Sequence, residues 1–306
     1  MTIFITGSNG FVGSHLREYL TKNYSDYTLL TPSSSELDLA NESAVDEYIL
    51  SNKIDIIIHL ANRGGGRDTM EIKNVTEYNL RIFFNLMKHE KNVHKIISFG
   101  SGAEYGKDKP IIDVKEEDYL LSLPHDEYGF YKSITSRFIE KSDRAVQLRI
   151  FGAYGEYENY RYKFISNAIV KNLLQLPITI RQNVYFDYIY IDDLLQMIDY
   201  ALHHELHDKI YNVSRGEKVD LVTLAQYVNQ TSDFISEIIV MQEGLNHEYT
   251  SNNQKMIEEM GGFTFTSHTE AIQNMRRYFA SQLPNLDSDT VRQDPYLQMI
   301  DTMWKR

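Results

Sequence analysis

The chain has 306 residues, 42% hydrophobic and 24% charged, enough for one large domain or two smaller ones. Lys and Arg total 31 against 43 Asp and Glu, a net charge of -12 with no basic block, so no nucleic-acid partner is expected. There is no cysteine, which excludes disulfides, thiolate metal sites and a cysteine nucleophile, and no apolar run long enough for a membrane span.

Thr2–Ile5 is a short β-branched, apolar run that suits a buried parallel strand. Gly7, Gly10 and Gly13 follow at G-x-x-G-x-x-G spacing, and Phe11, Val12, Leu16 and Leu20 continue at helical spacing. This reads as strand, glycine turn, helix. Such a turn lets backbone approach a pyrophosphate, which the free N–H groups of the following helix also favour. A strand starting at residue 2 leaves no room for a cleaved leader, and the expected location is cytoplasmic.

Tyr27–Thr31 reads as a second strand. NAD-preferring dinucleotide folds usually place a carboxylate at its end, to hold the ribose 2′-hydroxyl. Here Thr31, Pro32, Ser33, Ser34 and Ser35 come first, and Glu36 is the earliest carboxylate. Small hydroxyls leave room for a 2′-phosphate, although no Arg stands in the loop to grip one. The loop leans towards NADP(H), with NAD(H) possible. Glu36-Leu37-Asp38-Leu39 leads to a helix from about Asn41 to Ser51. Ile54–Leu60 is a third strand, ending at His59-Leu60-Ala61-Asn62 and a loop with Gly64, Gly65 and Gly66. His59 reads as a packed histidine. A helix from Lys73 to His89 carries Asn79. Lys95–Phe99 is a further strand, running into Gly100-Ser101-Gly102-Ala103-Glu104-Tyr105-Gly106.

A polar loop, Lys107 to His125, precedes Tyr128-Gly129-Phe130-Tyr131-Lys132, which opens a helix to about Ser142. Tyr128 and Lys132 are four apart and share a helix face. Val146–Phe151 is a strand, then Arg161–Leu174 a helix. Tyr185–Ile191 is a strand, with Asp192-Asp193 capping a helix. Lys209–Val213 is another strand. Leu221–Val228 and Ile272–Ala280 read as helices, and the tail after Leu283 as polar and weakly patterned. The alternation of strand and helix predicts an α/β fold, with a parallel sheet covered on both faces.

With Gly7, Gly10 and Gly13, then Ser101, then Tyr128 and Lys132 in this order, the chain resembles the extended short-chain dehydrogenase/reductase family. Its members are nucleotide-sugar epimerases, dehydratases and 4-keto reductases. His59-Leu60-Ala61, Asn79 and Tyr188-Ile189-Tyr190-Ile191-Asp192-Asp193-Leu194 match the family in position, and the resemblance covers about Thr2 to Gly216. It implies a Rossmann-like, doubly wound parallel sheet with a smaller C-terminal substrate-binding lobe. Residues 1–158 would bind the dinucleotide. Residues 159–182 and 217–306 would form the lobe, while 183–216 return to the sheet. It also implies roles. Tyr128 exchanges a proton with the sugar oxygen, Lys132 favours the phenolate and holds the nicotinamide ribose, and Ser101 orients the reacting oxygen. Gly7, Asn9, Gly10, Phe11 and Val12 would line the pyrophosphate. Asp38 and Leu39 would meet the adenine, and Leu60, Ala61 and Asn79 would complete the cofactor site. Asp38 could equally be a helix N-cap.

Within the family, dehydratases carry an Asp-Glu pair directly after the catalytic hydroxyl. Gly102 and Ala103 stand there instead, and Glu104 is one place late. Epimerase-reductases add a Cys and a His; this chain has no Cys, and Tyr157 sits where the His would be. Reduction of a 4-keto sugar nucleotide remains the favoured expectation. NAD-dependent 4-epimerisation is the alternative, and an idle binding or sensing member the third reading. A sugar-nucleotide diphosphate wants cations. The family's usual Arg is replaced by Phe186, which leaves Arg161, Lys163 and Arg181, with Gly102 beside the sugar, as substrate-binding candidates. No metal site is expected. A homodimer through the two long helices is.

Overall fold

The first strand, β1 (Thr2–Thr6), sends Ile3 and Ile5 into one apolar core and Phe4 into another, the alternation a strand buried on both faces requires. This computed structural model describes residues 1–66, 69 and 71–304. After β1 come α1 (Phe11–Asn23), β2 (Thr28–Leu30), α2 (Glu42–Asn52), β3 (Ile56–His59), α3 (Val75–Met87) and β4 (Lys95–Ser101). Then follow β5 (Ile111–Val114), α4 (Glu127–Ile139), β6 (Ala145–Ile150), β7 (Gly152–Tyr154), α5 (Phe164–Leu173), β8 (Ile178–Asn183), β9 (Tyr185–Tyr190) and α6 (Ile191–His203). The chain ends with β10 (Ile210–Val213), β11 (Lys218–Asp220), α7 (Leu221–Gln230), β12 (Ile238–Leu245), β13 (Tyr249–Ser251), α8 (Gln254–Glu259), α9 (His268–Gln282), α10 (Ser288–Arg292) and α11 (Pro295–Trp304).

The main sheet has six parallel strands in the order β10-β6-β4-β3-β1-β2. From β1 the chain steps outward to β2 and then crosses to β3 on the other side. That reversal opens a crevice at the carboxyl ends of β1 and β3, where such folds bind dinucleotides. This is the α/β, doubly wound fold expected from the alternation.

The second half of the chain departs from the expectation. Ile210–Val213 joins the main sheet beside β6, but Tyr185–Tyr190 does not. It lies in a second sheet, ordered β11-β9-β13-β5, with β7 also paired to β9. A third pair joins β12 to β8. The loop from Lys107 to His125 contains β5 and a 3-10 turn over Glu116–Leu121. The tail after Leu283 is helical. Asp287 caps α10 by accepting from the Thr290 N–H at 3.0 Å, and Val291 and Tyr296 are buried. Among the described residues, no helix is long and apolar enough to cross a membrane.

Candidate active site

The glycine turn sits at the crevice. Gly7 has φ +71°, a conformation that L side chains rarely adopt, and a Cβ there would stand 2.7 Å from the Ala61 nitrogen. The loops after β1 and β3 therefore touch backbone to backbone. Gly13 packs α1 onto the turn so tightly that a Cβ would lie 2.2 Å from the Gly7 carbonyl. Gly10 is the N-cap of α1 and supplies no side-chain cap. The first N–H groups of α1 thus stay available to a phosphate. Phe11 and Val12 are half-buried beside them; Asn9 is exposed and accepts from Arg17 at 3.3 Å. These residues fit a dinucleotide pyrophosphate.

At the end of β2, Glu36 folds back. Its carboxylate accepts from the Ser33 N–H at 2.7 Å and the Ser33 hydroxyl at 2.8 Å, which holds its pKa below the usual range. The serine loop thus carries a negative charge. Asp38 is exposed and accepts from the Ala40 N–H at 3.0 Å, whereas the N-cap of α2 is Asn41. Leu39 is half-buried, its carbonyl accepting from Asn85 at 2.8 Å. Asn79 accepts from the Arg63 N–H and donates to the Arg63 and Val75 carbonyls, each at 2.8 Å, so its amide holds the loop after Leu60 and Ala61. His59 bonds Thr6 at 2.9 Å, and burial pushes its pKa down to about 3.

Ser101 ends β4, while Tyr128 and Lys132 lie in the first two turns of α4, which Asp126 caps by accepting from the Gly129 N–H at 2.9 Å. The structure brings the three side chains together. Burial pushes the Tyr128 phenol up to about 12, opposed by its hydrogen bond to the Ser101 side chain. Lys132 donates to the Phe99 carbonyl, two residues before Ser101, and its ammonium stands 5.8 Å from the centre of the Tyr128 ring. Burial pushes Lys132 down to about 8. Burial is the first cause of both shifts. Lys107 approaches the same ring at 5.5 Å, and Gly65 lies against it, where a Cβ would be 2.1 Å from a ring carbon. Tyr131, one residue before Lys132, is buried, and its hydroxyl has no hydrogen-bond partner among the described residues.

Residues 3–214 match the NAD dependent epimerase/dehydratase family. The chain belongs to that family. One relative is the dTDP-4-dehydro-6-deoxyglucose reductase of Escherichia coli, 30% identical over 261 residues, 74% of this chain and 80% of that protein. A GDP-L-fucose synthetase from Naegleria fowleri, solved with NADP, superposes with TM-score 0.80 at 16% identity, covering 92% of this chain and 93% of that one. The UDP-glucose 4-epimerase of Thermus thermophilus, solved with NAD, gives TM-score 0.75 at 20% identity over 92% and 99%. At such identities, the two structures establish the fold.

The wall beyond Ser101 and Gly102 is aromatic. Phe186 stands 5.2 Å from the Tyr188 ring and 5.9 Å from that of Tyr249, which lies 5.2 Å from Phe151. Tyr249 comes from β13, and hydrogen bonding to the Ser101 side chain opposes the rise that burial gives its pKa. The space beside Gly102 is filled by the Tyr249 hydroxyl and the Phe151 ring. The three candidate cations belong to other elements. Arg161 pairs with Asp287 at 3.0 Å, Lys163 is exposed at the N-cap of α5, and Arg181 lies in β8. Tyr157 does not face the site as an acid or base. It stacks on His15 at 4.6 Å and donates to Glu18 at 3.2 Å. Glu104 turns inward to Arg149, and both side chains are fully buried. Sequence reasoning missed Tyr249, because nothing local marks it. Arg149 did leave a signal: a lone cation inside the apolar strand VQLRIF.

Proposed function

We propose that this protein reduces the ketone of a 4-keto sugar nucleotide, with NADP(H) as the hydride source. The observation that carries the reading is the Tyr128 phenol, kept protonated by burial beside Ser101 and Lys132. A reductase needs a proton donor at the nascent alkoxide, and a phenol near 12 is a donor at neutral pH. The E. coli relative, named as a 4-dehydro sugar-nucleotide reductase, supports the same direction.

In this mechanism, Gly7, Gly10, Phe11 and Val12 hold the pyrophosphate at the start of α1, with Asn9 at the rim. Asp38 and Leu39 border the adenine, and Leu60, Ala61 and Asn79 shape the wall of the crevice. The bound nicotinamide supplies the hydride. Ser101 donates to the carbonyl oxygen and orients it, and Tyr128 gives that oxygen its proton. Lys132 holds the nicotinamide ribose and, while charged, attracts the developing alkoxide. Gly102 and Ala103 bring no carboxylate where a dehydratase needs two.

The second reading is NAD-dependent 4-epimerisation, and the Glu36 carboxylate on the β2 loop favours it, since a 2′-phosphate would be repelled there. Incubating the protein with NADPH and a panel of 4-keto sugar nucleotides, and separately with NAD and 4-hydroxy sugar nucleotides, tests both. Consumption of NADPH with one product epimer is the expected result. Interconversion of C4 epimers without net cofactor use would replace it.

Residues 1–158 with 183–216 form the cofactor-binding part in this reading, β9 being tied to it through β7 and not through the main sheet, and 159–182 with 217–306 the substrate lobe. The active unit is a homodimer through α3 and α4. Phe84 and Phe138, one on each helix, are 39% and 40% exposed and meet edge to face at 5.2 Å, an aromatic surface suited to a second copy. A monomer by light scattering at micromolar concentration would rule this out.

A further inference from the structure

We propose that Glu104 is a positioning residue that fixes the Ser101 turn and the Tyr128–Lys132 helix to one buried carboxylate, held in place by Arg149. This deepens the reductase reading and rests on it for its kinetic part.

The geometry runs through both oxygens of the carboxylate. Oε1 accepts from the Ser101 N–H at 2.9 Å, and the Ser101 hydroxyl in turn accepts from the Ala103 N–H at 3.2 Å. Together they form a capping box around the turn after β4. Oε1 also accepts from Gln147 at 3.1 Å. Oε2 accepts from the Ser136 hydroxyl and from the Arg149 guanidinium at 2.9 Å. Ser136 lies on α4, four residues after Lys132 and eight after Tyr128, so all three lie towards one side of that helix. One rigid carboxylate thus sets the distance between the hydroxyl that orients the oxygen and the phenol that protonates it.

Arg149 is itself over-determined. Beyond Glu104 it donates to the Tyr105 hydroxyl at 2.6 Å and the Glu116 carbonyl at 3.1 Å, with its guanidinium 4.7 Å from the Tyr119 ring. Such a network is rigid because every alternative leaves a buried charge unpaired. It also has an electrostatic consequence. The negative charge of Glu104 raises the pKa of Tyr128 and that of Lys132, which keeps the phenol a donor and the ammonium charged. The other groups facing Tyr128 are Ser101, Asp126, Tyr131, Lys107 and Tyr249.

The test uses two variants. Ser136→Ala deletes one tie to α4 and leaves the ion pair whole; Glu104→Gln removes the charge. Each is assayed for NADPH binding and turnover, and the ¹³Cζ resonance of Tyr128, assigned with Tyr128→Phe, is followed against pH. For Ser136→Ala, kcat should fall about tenfold and the Tyr128 resonance should move, while NADPH affinity stays within about twofold. For Glu104→Gln, kcat should fall further and Tyr128 should titrate about one pH unit lower. A merely structural carboxylate would move neither the titration nor kcat per folded molecule. The resonance needs no substrate. If no 4-keto sugar nucleotide is turned over by the unaltered protein, the reductase reading fails, and the resonance alone decides this inference. If Glu104→Gln does not fold, Ser136→Ala decides it. An unaltered kcat in Ser136→Ala, or an unmoved Tyr128 resonance in every folded variant, overturns it.

Discussion

The Tyr249 hydroxyl occupies the space that a side chain at position 102 would need: a Cβ on Gly102 would stand 2.4 Å from that oxygen and 2.7 Å from the Phe151 ring. Gly102→Ala should therefore displace Tyr249, lower the melting temperature and cut turnover. Tyr249→Phe removes the closer obstacle but not Phe151, so the double variant should recover part of the loss. Equal melting temperatures for Gly102→Ala and the unaltered protein would show that the contact is absent in solution.

Tyr128→Phe removes the proposed proton donor and should cost turnover about 10²–10⁴-fold with cofactor binding retained. Lys132→Met should lose cofactor affinity together with rate. Tyr131→Phe deletes a buried hydroxyl that has no partner among the described residues, so it should leave turnover unchanged and stability equal or higher. A dead Tyr131→Phe beside an active Tyr128→Phe would reverse the assignment.

Lys132 is pushed down to about 8, so its charge is complete at pH 6 and lost as the pH rises through 8. NADPH affinity should weaken over that range in the unaltered protein. In Lys132→Met the same stretch should be flat. A slope that persists in the variant would assign the ionisation to another group.

Glu36 offers a test of cofactor choice. Replacing it with Gln removes the charge beside Ser33 while keeping a hydrogen-bond acceptor there. Calorimetric titration should show NADPH affinity rising and NADH affinity falling or holding. If the two change in parallel, Glu36 does not read the ribose.

Two buried histidines set part of the acid stability. Burial pushes His59 down to about 3 and His268 to about 4, so both stay neutral in the folded chain, whereas the unfolded chain protonates them near 6.5. Their contribution is complete above pH 6.5 and is lost as the pH falls, about 2 kcal/mol for each by pH 5. Asp187, raised to about 6 by burial, has the opposite sign and offsets part of this. His268→Gln keeps an acceptor for the Tyr154 hydroxyl and should flatten the fall in denaturant midpoint between pH 7 and 5. An unchanged slope would remove His268 from the account.

The first half of the chain was legible because its signals are local. The IFIT run, the three glycines and Ile56–Ile58 each report their own environment, and neighbouring elements pair with one another. Ser101, Tyr128 and Lys132 were legible as a conjunction in order. The second sheet was not, because its pairing joins segments far apart in the chain. Tyr185–Tyr190 reads as a strand from its aromatics, but nothing in it says that its neighbours are β7, β11 and β13. The tail reads as weakly patterned because α10 holds one buried apolar residue, Val291, among Ser, Asp, Thr and Arg; α11, where Leu297, Met299 and Ile300 follow Tyr296, is the apolar helix that such a reading overlooks. The inward turn of Glu104 is half visible in its displacement by one place, while its partner Arg149 shows only as a lone cation in an apolar strand.

The position of β13 sets an order of events during synthesis. It lies between β9 and β5, yet it is made after both, its first residue Tyr249 coming 59 residues after Tyr190 at the end of β9. Until β13 is made, the facing edges of β5 and β9 lack the strand that pairs with both in the folded chain. The cofactor crevice, built from β1, β3 and β4, is already finished by then. The wall bearing Tyr249 is thus the last part of the Ser101 surroundings to be made, after every strand of the main sheet.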